Sequence, residues 1–415
     1  MAMPKYFSRN ENPEFRFSER RQLCYHFLLV TMFVLFITPL ISIPLIGAYL
    51  LLIAGRYNNE NEVLTSAPSL FMVVFLLIII FSFREYGFNF GDTSDDAPGY
   101  YRWYLNAIKD WPSLLFNREF FFWLPFLVFS FFSWQLDFQE FTLLANLYLF
   151  TILYIVFIRF GKYSVAFIFI WFFLFHANIY GLAHVYRQTL ALLFLALSVG
   201  GYIDGSKWRF YIFSLFSIFS HNAAVIFIIP FLVITTIKPR GFFSYLKGLF
   251  LIIIFFGFFY FIPPQFVSEI VYKFDFYTAE GSLKRGFDLQ SFFIVILNIL
   301  LFLNVKSVKI RRFAVAILFI EMIFISVGLW SFLGRINLLT LPLTIYVYFV
   351  CVKEQLFYFI KSDKIFIILI LCLLMVSIFY TLRIDINNLQ SIAALLANGK
   401  FLNFNNGFVS ILQKL

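Results

Sequence analysis

Charge is what this sequence has least of. Only 13% of its 415 residues are Asp, Glu, Lys or Arg, about half the share with which a soluble domain covers its water-facing surface. Short alternating polar and apolar stretches with turn punctuation do not recur, which excludes a membrane β-barrel. Cysteine is nearly lacking: Cys24, Cys351 and Cys372 lie in apolar surroundings with no C-x-x-C pair, so they imply neither a metal motif nor a redox centre. HExxH, GxSxG and glycine-rich phosphate loops are missing, which removes the zincin, hydrolase and P-loop classes. The first 22 residues are charged and contain proline, with no small-residue cleavage site after the following apolar run; a signal peptide is not expected.

Hydrophobicity fills the space left by charge. The chain is 62% hydrophobic and 23% aromatic, with a mean hydropathy of +0.87. Apolar runs of roughly 18 residues or more, each long enough to cross about 30 Å of hydrocarbon as a helix, recur along its length. The expected fold is therefore all-α: a polytopic transmembrane bundle with about 11–13 membrane segments. We expect a polar segment 1–22, a transmembrane domain 23–382 with outer loops 84–118 and 263–288, and a tail 383–415.

The net charge of +10 is spread over short loops: Arg159/Lys162, Lys207/Arg209, Lys238/Arg240, Lys306/Lys309/Arg311/Arg312 and Lys353/Lys361/Lys364. Cytoplasmic loops of membrane proteins carry such residues, so topology explains them and a nucleic-acid partner is not expected. The same rule puts 179–181, 263–288, 333–337 and the tail outside. Three places stay open. Residues 119–134 either cross or re-enter, which decides the side of loop 84–118. Residues 23–54, with Pro39 and Pro44, are one kinked helix or a hairpin. Residues 209–237, with His221-Asn222 at their centre, either pass through or dip and return.

Ionisable groups inside apolar segments are costly, so each asks for a partner or a function. Tyr180, His184, Arg187 and Gln188 follow helical spacing and fall on one face, turning a guanidinium into the bundle near the outer surface. They read as an anion site, or as an Arg tied to backbone carbonyls or to a carboxylate such as Glu321. Around Arg84, a Gly-Asp turn, the acids Asp92, Asp95 and Asp96, and the pair Tyr100-Tyr101 read either as sugar-binding acceptors and aromatic faces or as a hydrated turn with an interfacial belt. Three acids in one flexible turn are weak grounds for a divalent cation. Glu321 and Arg335 lie near one face if their helix is continuous, so Glu321 is a general base or a counter-ion for Arg187 or Arg335. His221 is a base candidate or a satisfied core histidine, and Arg285 with Lys284 is functional or simply solvated. Arginine forks match phosphate oxygens two at a time and keep their charge at any depth. A lipid pyrophosphate is the large anion that such arginines would meet.

These residues resemble the EpsG/Wzy group of bacterial polysaccharide polymerases, which includes O-antigen polymerases. The carriers are Arg84…Gly91-Asp92-Thr93…Tyr100-Tyr101, with Asp and Thr exchanged relative to the group's Gly-Thr-Asp turn, then Arg187-Gln188 opening a central helix, Ser220-His221-Asn222, and Arg335 before Leu341-Pro342. The resemblance spans about residues 68–350. It implies a metal-independent, cofactor-free membrane glycosyltransferase of GT-C type in the bacterial inner membrane, with its active site facing the periplasm. Its substrates would be undecaprenyl-pyrophosphate-linked oligosaccharides, and a chain-length regulator is an implied partner. On that reading Arg187 and Arg335 receive the pyrophosphate, and Arg84 or Arg285 assists. The base is His221, Asp92 or Glu321, while His184, Gln188, Tyr100 and Tyr101 bind substrate. An O-antigen ligase shares the donor and the arginine logic. A flippase would instead need a cationic cavity at mid-membrane between two similar halves, and no internal repeat stands out.

Overall fold

The computed structural model describes residues 96–108, 119–132, 134–158, 185–221, 224–236 and 289–326, the strand residues 89–90 and 93–94, and isolated positions at 29, 78, 82 and within 340–348. Eight helices make up these residues: α1 Ala97–Ala107, α2 Phe120–Phe131, α3 Phe138–Ile158, α4 Tyr186–Asp204, α5 Lys207–Ser220, α6 Ala224–Thr236, α7 Leu289–Asn304 and α8 Val308–Ser326. The one departure from helix is a two-residue antiparallel ladder, β1 Asn89–Phe90 on β2 Thr93–Ser94. Its residues flank the expected Gly-Asp turn.

Local chemistry sets several boundaries. Asp137 and Glu140 exchange reciprocal bonds, each backbone N–H donating to the other's carboxylate at 2.8 Å; this capping box starts α3. Pro98 occupies the first turn of α1, where its missing N–H costs nothing. Ala97, Tyr101, Tyr104 and Ile108 follow a 3–4 spacing and pack inward, so the loop 84–118 contains an amphipathic helix rather than only a turn. Gly205, at φ 80°, ends α4 in the left-handed conformation, and Ser206 N–H donates to the Gly201 carbonyl at 2.9 Å. That tight turn reverses the chain into α5.

α4 is the central helix: every residue from Thr189 to Gly201 is buried, as expected of a helix enclosed on all sides. α5 lies antiparallel against it. Ser198 Oγ donates to the Phe210 carbonyl (2.9 Å) and meets Ser214 Oγ at 2.7 Å, while Ser217 Oγ donates to the Ala191 carbonyl (2.7 Å). Aromatic contacts carry the packing outward. Phe121 meets Phe194 and Phe216, Phe126 meets Tyr104 and Phe141, and Phe313 of α8 meets Phe227 and Phe231 of α6.

Polarity runs opposite to that of a soluble protein. On α7 the outward positions are Phe292, Ile299 and Leu303, whereas Ser291 and Asn298 are fully buried. Thr142, Asn146, Ser198, Ser217 and Glu321 are also buried, and Phe131, Phe132, Trp134, Trp208 and Met322 are exposed. Hydroxyls and amides between helices with bare apolar faces outside suit hydrocarbon surroundings. Among the described residues, one helix is both long and apolar enough to cross a membrane alone, over Phe138–Val156. At 12 residues, α2 spans only about 18 Å at 1.5 Å per residue, short of a full crossing.

The basic loops have work of their own. At the start of α8, Lys309 Nζ donates to the Ile203 carbonyl (3.2 Å), Arg311 to Val305 (2.8 Å) and Arg312 to Thr235 (3.0 Å). One short basic stretch thus caps the carboxyl ends of α4, α6 and α7, where the helix dipole favours positive charge.

Candidate functional site

The amino end of α4 lies opposite that basic end, and Arg187 is the second residue of the helix. Val185 before it is not helical (φ −112°, ψ 61°), and its carbonyl accepts the first helical bond, from Thr189 N–H. The continuous face expected through Tyr180, His184 and Arg187 is therefore corrected: helical register does not extend across Val185. Arg187 and Gln188 share the first turn of α4, and Tyr180 and His184 lie outside the described residues.

Three elements converge on the guanidinium. Glu119, immediately before α2, pairs its Oε2 with Arg187 Nη1. Its other oxygen, Oε1, lies 2.7 Å from His221 Nδ1. The Glu119 side chain is only 7% exposed, against 31% for Arg187 and 22% for His221. The carboxylate is the buried member of the cluster, and the two basic side chains are partly exposed. Tyr100 of α1 completes it, with the Arg187 guanidinium carbon 4.8 Å from its ring centroid. That ring packs beside Phe122 (5.8 Å) and Tyr186 (6.1 Å). Burial there pushes the Tyr100 phenol up to about 12, against the pull of Arg187 and with a weaker push from Asp96.

His221 sits between helices. Its backbone is extended (φ −159°, ψ 123°), its N–H donates to the Ser217 carbonyl, and its carbonyl accepts from Ala224 N–H. The apolar stretch 209–237 is thus two helices broken at His221 rather than one long pass. The break lifts the imidazole off both helix surfaces and toward Glu119.

The tyrosine pair divides. Tyr100 faces Arg187. Tyr101 donates its hydroxyl to the Leu136 carbonyl (3.1 Å) and packs on Phe138 and Phe141, where it fixes the turn that leads into α3.

Glu321 is the second correction. As the carboxylate for Arg187 it is replaced by Glu119. It is fully buried on α8; its Oε1 accepts from Asn298 Nδ2 (2.7 Å), and Asn298 Oδ1 accepts from Thr344 Oγ1 (2.5 Å). Its Oε2 has no hydrogen-bond partner among the described residues. This chain of side chains ties α7, α8 and the helical residues near 344 together, separately from the Arg187 cluster. Arg84, Asp92, Asp95, Arg285 and Arg335 lie outside the described residues. Asp96 directly precedes α1.

Glu119 was not among the residues singled out from the sequence. It stands at the edge of an apolar segment beside Arg118, where it passes for a solvated flank. The available signal was an acid bordering hydrocarbon-length apolar sequence.

An inside-out helical bundle with an Arg–Glu–His cluster at one end is the frame of a membrane protein with a charged candidate site. The sequence fits the EpsG family model over residues 68–393, most of the chain, and the protein belongs to that family, which includes Wzy-type polymerases. It is thereby a polysaccharide polymerase-like membrane protein. Searches of curated proteins and of solved structures gave no match.

Proposed function

We propose that the protein is an O-antigen or exopolysaccharide polymerase of the bacterial inner membrane, working at the periplasmic face on undecaprenyl-pyrophosphate-linked glycans. The observation that carries this is the convergence of Arg187, Glu119, His221 and Tyr100 at one end of the bundle. The other end holds Lys309, Arg311 and Arg312. Basic residues collect on the cytoplasmic side, so the Arg187 end faces outward. The short helix α2 favours re-entry over crossing for 119–134, which keeps loop 84–118 on that same side. The domain is then a GT-C-like bundle over 23–382 with about 11–13 membrane segments, and 1–22 and 383–415 flank it.

In the reaction the hydroxyl of a new lipid-linked repeat unit attacks the anomeric carbon of the growing chain. The carbon–oxygen bond to pyrophosphate breaks, and undecaprenyl pyrophosphate leaves with the electron pair. The hydroxyl proton passes to His221. Asp92 and Glu321 were the other base candidates, and the company of Arg187 favours His221. Arg187 receives the charge that develops on the departing pyrophosphate, as preorganised cations do. Arg335 shares this role, and Arg84 or Arg285 assists. Tyr100, with Gln188 and His184, binds the glycan, while Tyr101 supports the turn into α3 instead; a ring beside a guanidinium suits a sugar's apolar face and its phosphate together. The chemistry calls for no metal ion, and a chain-length regulator is the expected partner.

Deleting the gene and restoring it as Arg187→Ala tests the proposal in cells. Single-repeat product with no longer chains is expected. A normal chain-length ladder would refute it, and loss of all attached glycan, single units included, would instead point to a ligase.

A further inference from the structure

The cluster contains a residue that touches neither of the groups just assigned to chemistry by accident. Glu119 is 68 residues from Arg187 and 102 from His221 in sequence, yet its two oxygens are divided between them. We propose that Glu119 is the positioning residue of this site: it fixes His221 in the tautomer that leaves Nε2 open to the acceptor hydroxyl, and it sets Arg187 beside that nitrogen. This rests on the polymerase reading for the identity of the hydroxyl, but not for the geometry.

The physical chain is short. A carboxylate that pairs with a guanidinium is an anion, and an anionic carboxylate only accepts hydrogen bonds. Oε1 lies 2.7 Å from Nδ1, so Nδ1 carries the proton and donates. A neutral imidazole has one N–H, hence Nε2 holds the free lone pair. Nothing in the backbone of His221 would do this unaided, because the residue stands at a break between α5 and α6 rather than in a helix. The ring needs a side-chain partner to hold one orientation, and Glu119 is deeply buried and supplies it. When Nε2 takes the hydroxyl proton, the imidazolium forms already paired with that carboxylate. The new positive charge therefore appears between Glu119 and the bond being broken, as in triads where an acid orients a histidine base. Glu119 is itself well placed: it precedes the first residue of α2, where the helix dipole favours negative charge.

The test reads the tautomer directly. Full-length protein in detergent, labelled with 15N-histidine, is measured at about pH 8.5 or above, where imidazoles are neutral. The chain has four histidines, and the His221 signals are assigned by their loss in His221→Asn. A protonated Nδ1 with an unprotonated Nε2 is expected in the unaltered protein and in Glu119→Asp, with reversal in Glu119→Ala. Once those signals are assigned, an Nε2–H tautomer in the unaltered protein overturns the inference without any Glu119 variant having to fold; a His221 spectrum indifferent to Glu119→Ala overturns it as well. Polymerisation of a synthetic lipid-linked repeat unit supplies the second readout. Glu119→Gln is expected to lower kcat by about 100-fold or more with little change in KM, and Glu119→Asp to restore part of it. An Nδ1–H tautomer in a protein that polymerises nothing would sink the polymerase reading and leave the positioning role standing. Full kcat in Glu119→Gln would sink the positioning role alone.

Discussion

A single carbon atom added at Gly201 tests how the central helix is held. A Cβ built there would lie 2.8 Å from Arg209 Cβ, 2.9 Å from Phe210 N and 3.1 Å from Arg209 C. The closest ordinary contact between carbons is about 3.5 Å, so α4 and α5 would have to part by about 0.7 Å. Three hydroxyl bonds hold this hairpin at 2.7–2.9 Å, from Ser198 to Phe210 and Ser214 and from Ser217 to Ala191. Adding that displacement leaves them at about 3.4–3.6 Å, at or past useful length. Alanine stretches chiefly the two bonds at Ser198. Valine, with two further methyls, breaks all three. At about 0.5–1.5 kcal/mol per bond the valine variant loses about 1.5–4.5 kcal/mol, and better helix propensity returns only a few tenths. A net loss of about 3 kcal/mol corresponds to a fall in Tm of about 3–6 °C for a chain of this size. Gly99, in the exposed face of α1, has nothing within 4 Å of its built Cβ, so Gly99→Ala should gain up to about 1 kcal/mol. Thermal unfolding of detergent-purified protein should rank Gly99→Ala at or above the unaltered chain, then Gly201→Ala, then Gly201→Val. Equal or raised stability in Gly201→Val would show that the two helices do not meet as closely as described.

Substitutions at two further residues probe the side chains around the site and away from it. Tyr100→Phe keeps the ring against Arg187 and should retain polymerisation to within about threefold; Tyr100→Ala removes a cation–π contact of about 0.5–2 kcal/mol and should cost about 2- to 30-fold. The Tyr100 phenol is pushed up to about 12 by burial. Its folded-state value lies above the unfolded one, so what the neutral phenol contributes is intact below pH 10 and lost as pH rises through about 12. Rate–pH profiles of the native and Phe proteins should therefore run parallel between about pH 6 and 9. Glu321→Gln keeps an acceptor for Asn298 Nδ2 and should change stability by less than about 1 kcal/mol with polymerisation retained, whereas Glu321→Ala strands that donor and opens a cavity, costing about 2–4 kcal/mol. An inactive but fully stable Glu321→Gln would make Glu321 a chemical participant.

Much of this architecture was legible because hydrophobic length and charge placement are strong signals. The helical bundle, the basic stretch before α8 and the break at His221 all follow from where polar residues interrupt apolar runs. The boundary at Val185 was not legible. The helix after it lacks a Ser, Thr, Asp or Asn cap, so helical spacing runs on through the sequence after the backbone has stopped following it. The partner of Glu321 was hidden for a different reason. Spacing along one helix shows which residues share a face, but which face of another helix meets it is decided by tertiary packing. Asn298, an amide buried mid-helix on α7, is as close a neighbour as any arginine would have been.

Helix dipoles explain why Arg187 stands apart from the other arginines. A cation in the first turn of a helix is opposed by the dipole, and α8 breaks that preference as openly as α4 does, with Lys309, Arg311 and Arg312 near its start. There, each side chain donates to a backbone carbonyl at or near another helix's carboxyl end, so the cost is offset within the scaffold and the residues have a structural reason to exist. Arg187 has a carboxylate instead, and that carboxylate is shared with a histidine placed off the helices. A guanidinium whose only scaffold duty was packing would not need a partner divided in this way. Local rules broken without a structural return tend to mark function. That pattern supports the proposal that the chemistry lies at the amino end of α4, with Glu119 the residue through which its two basic groups would act together.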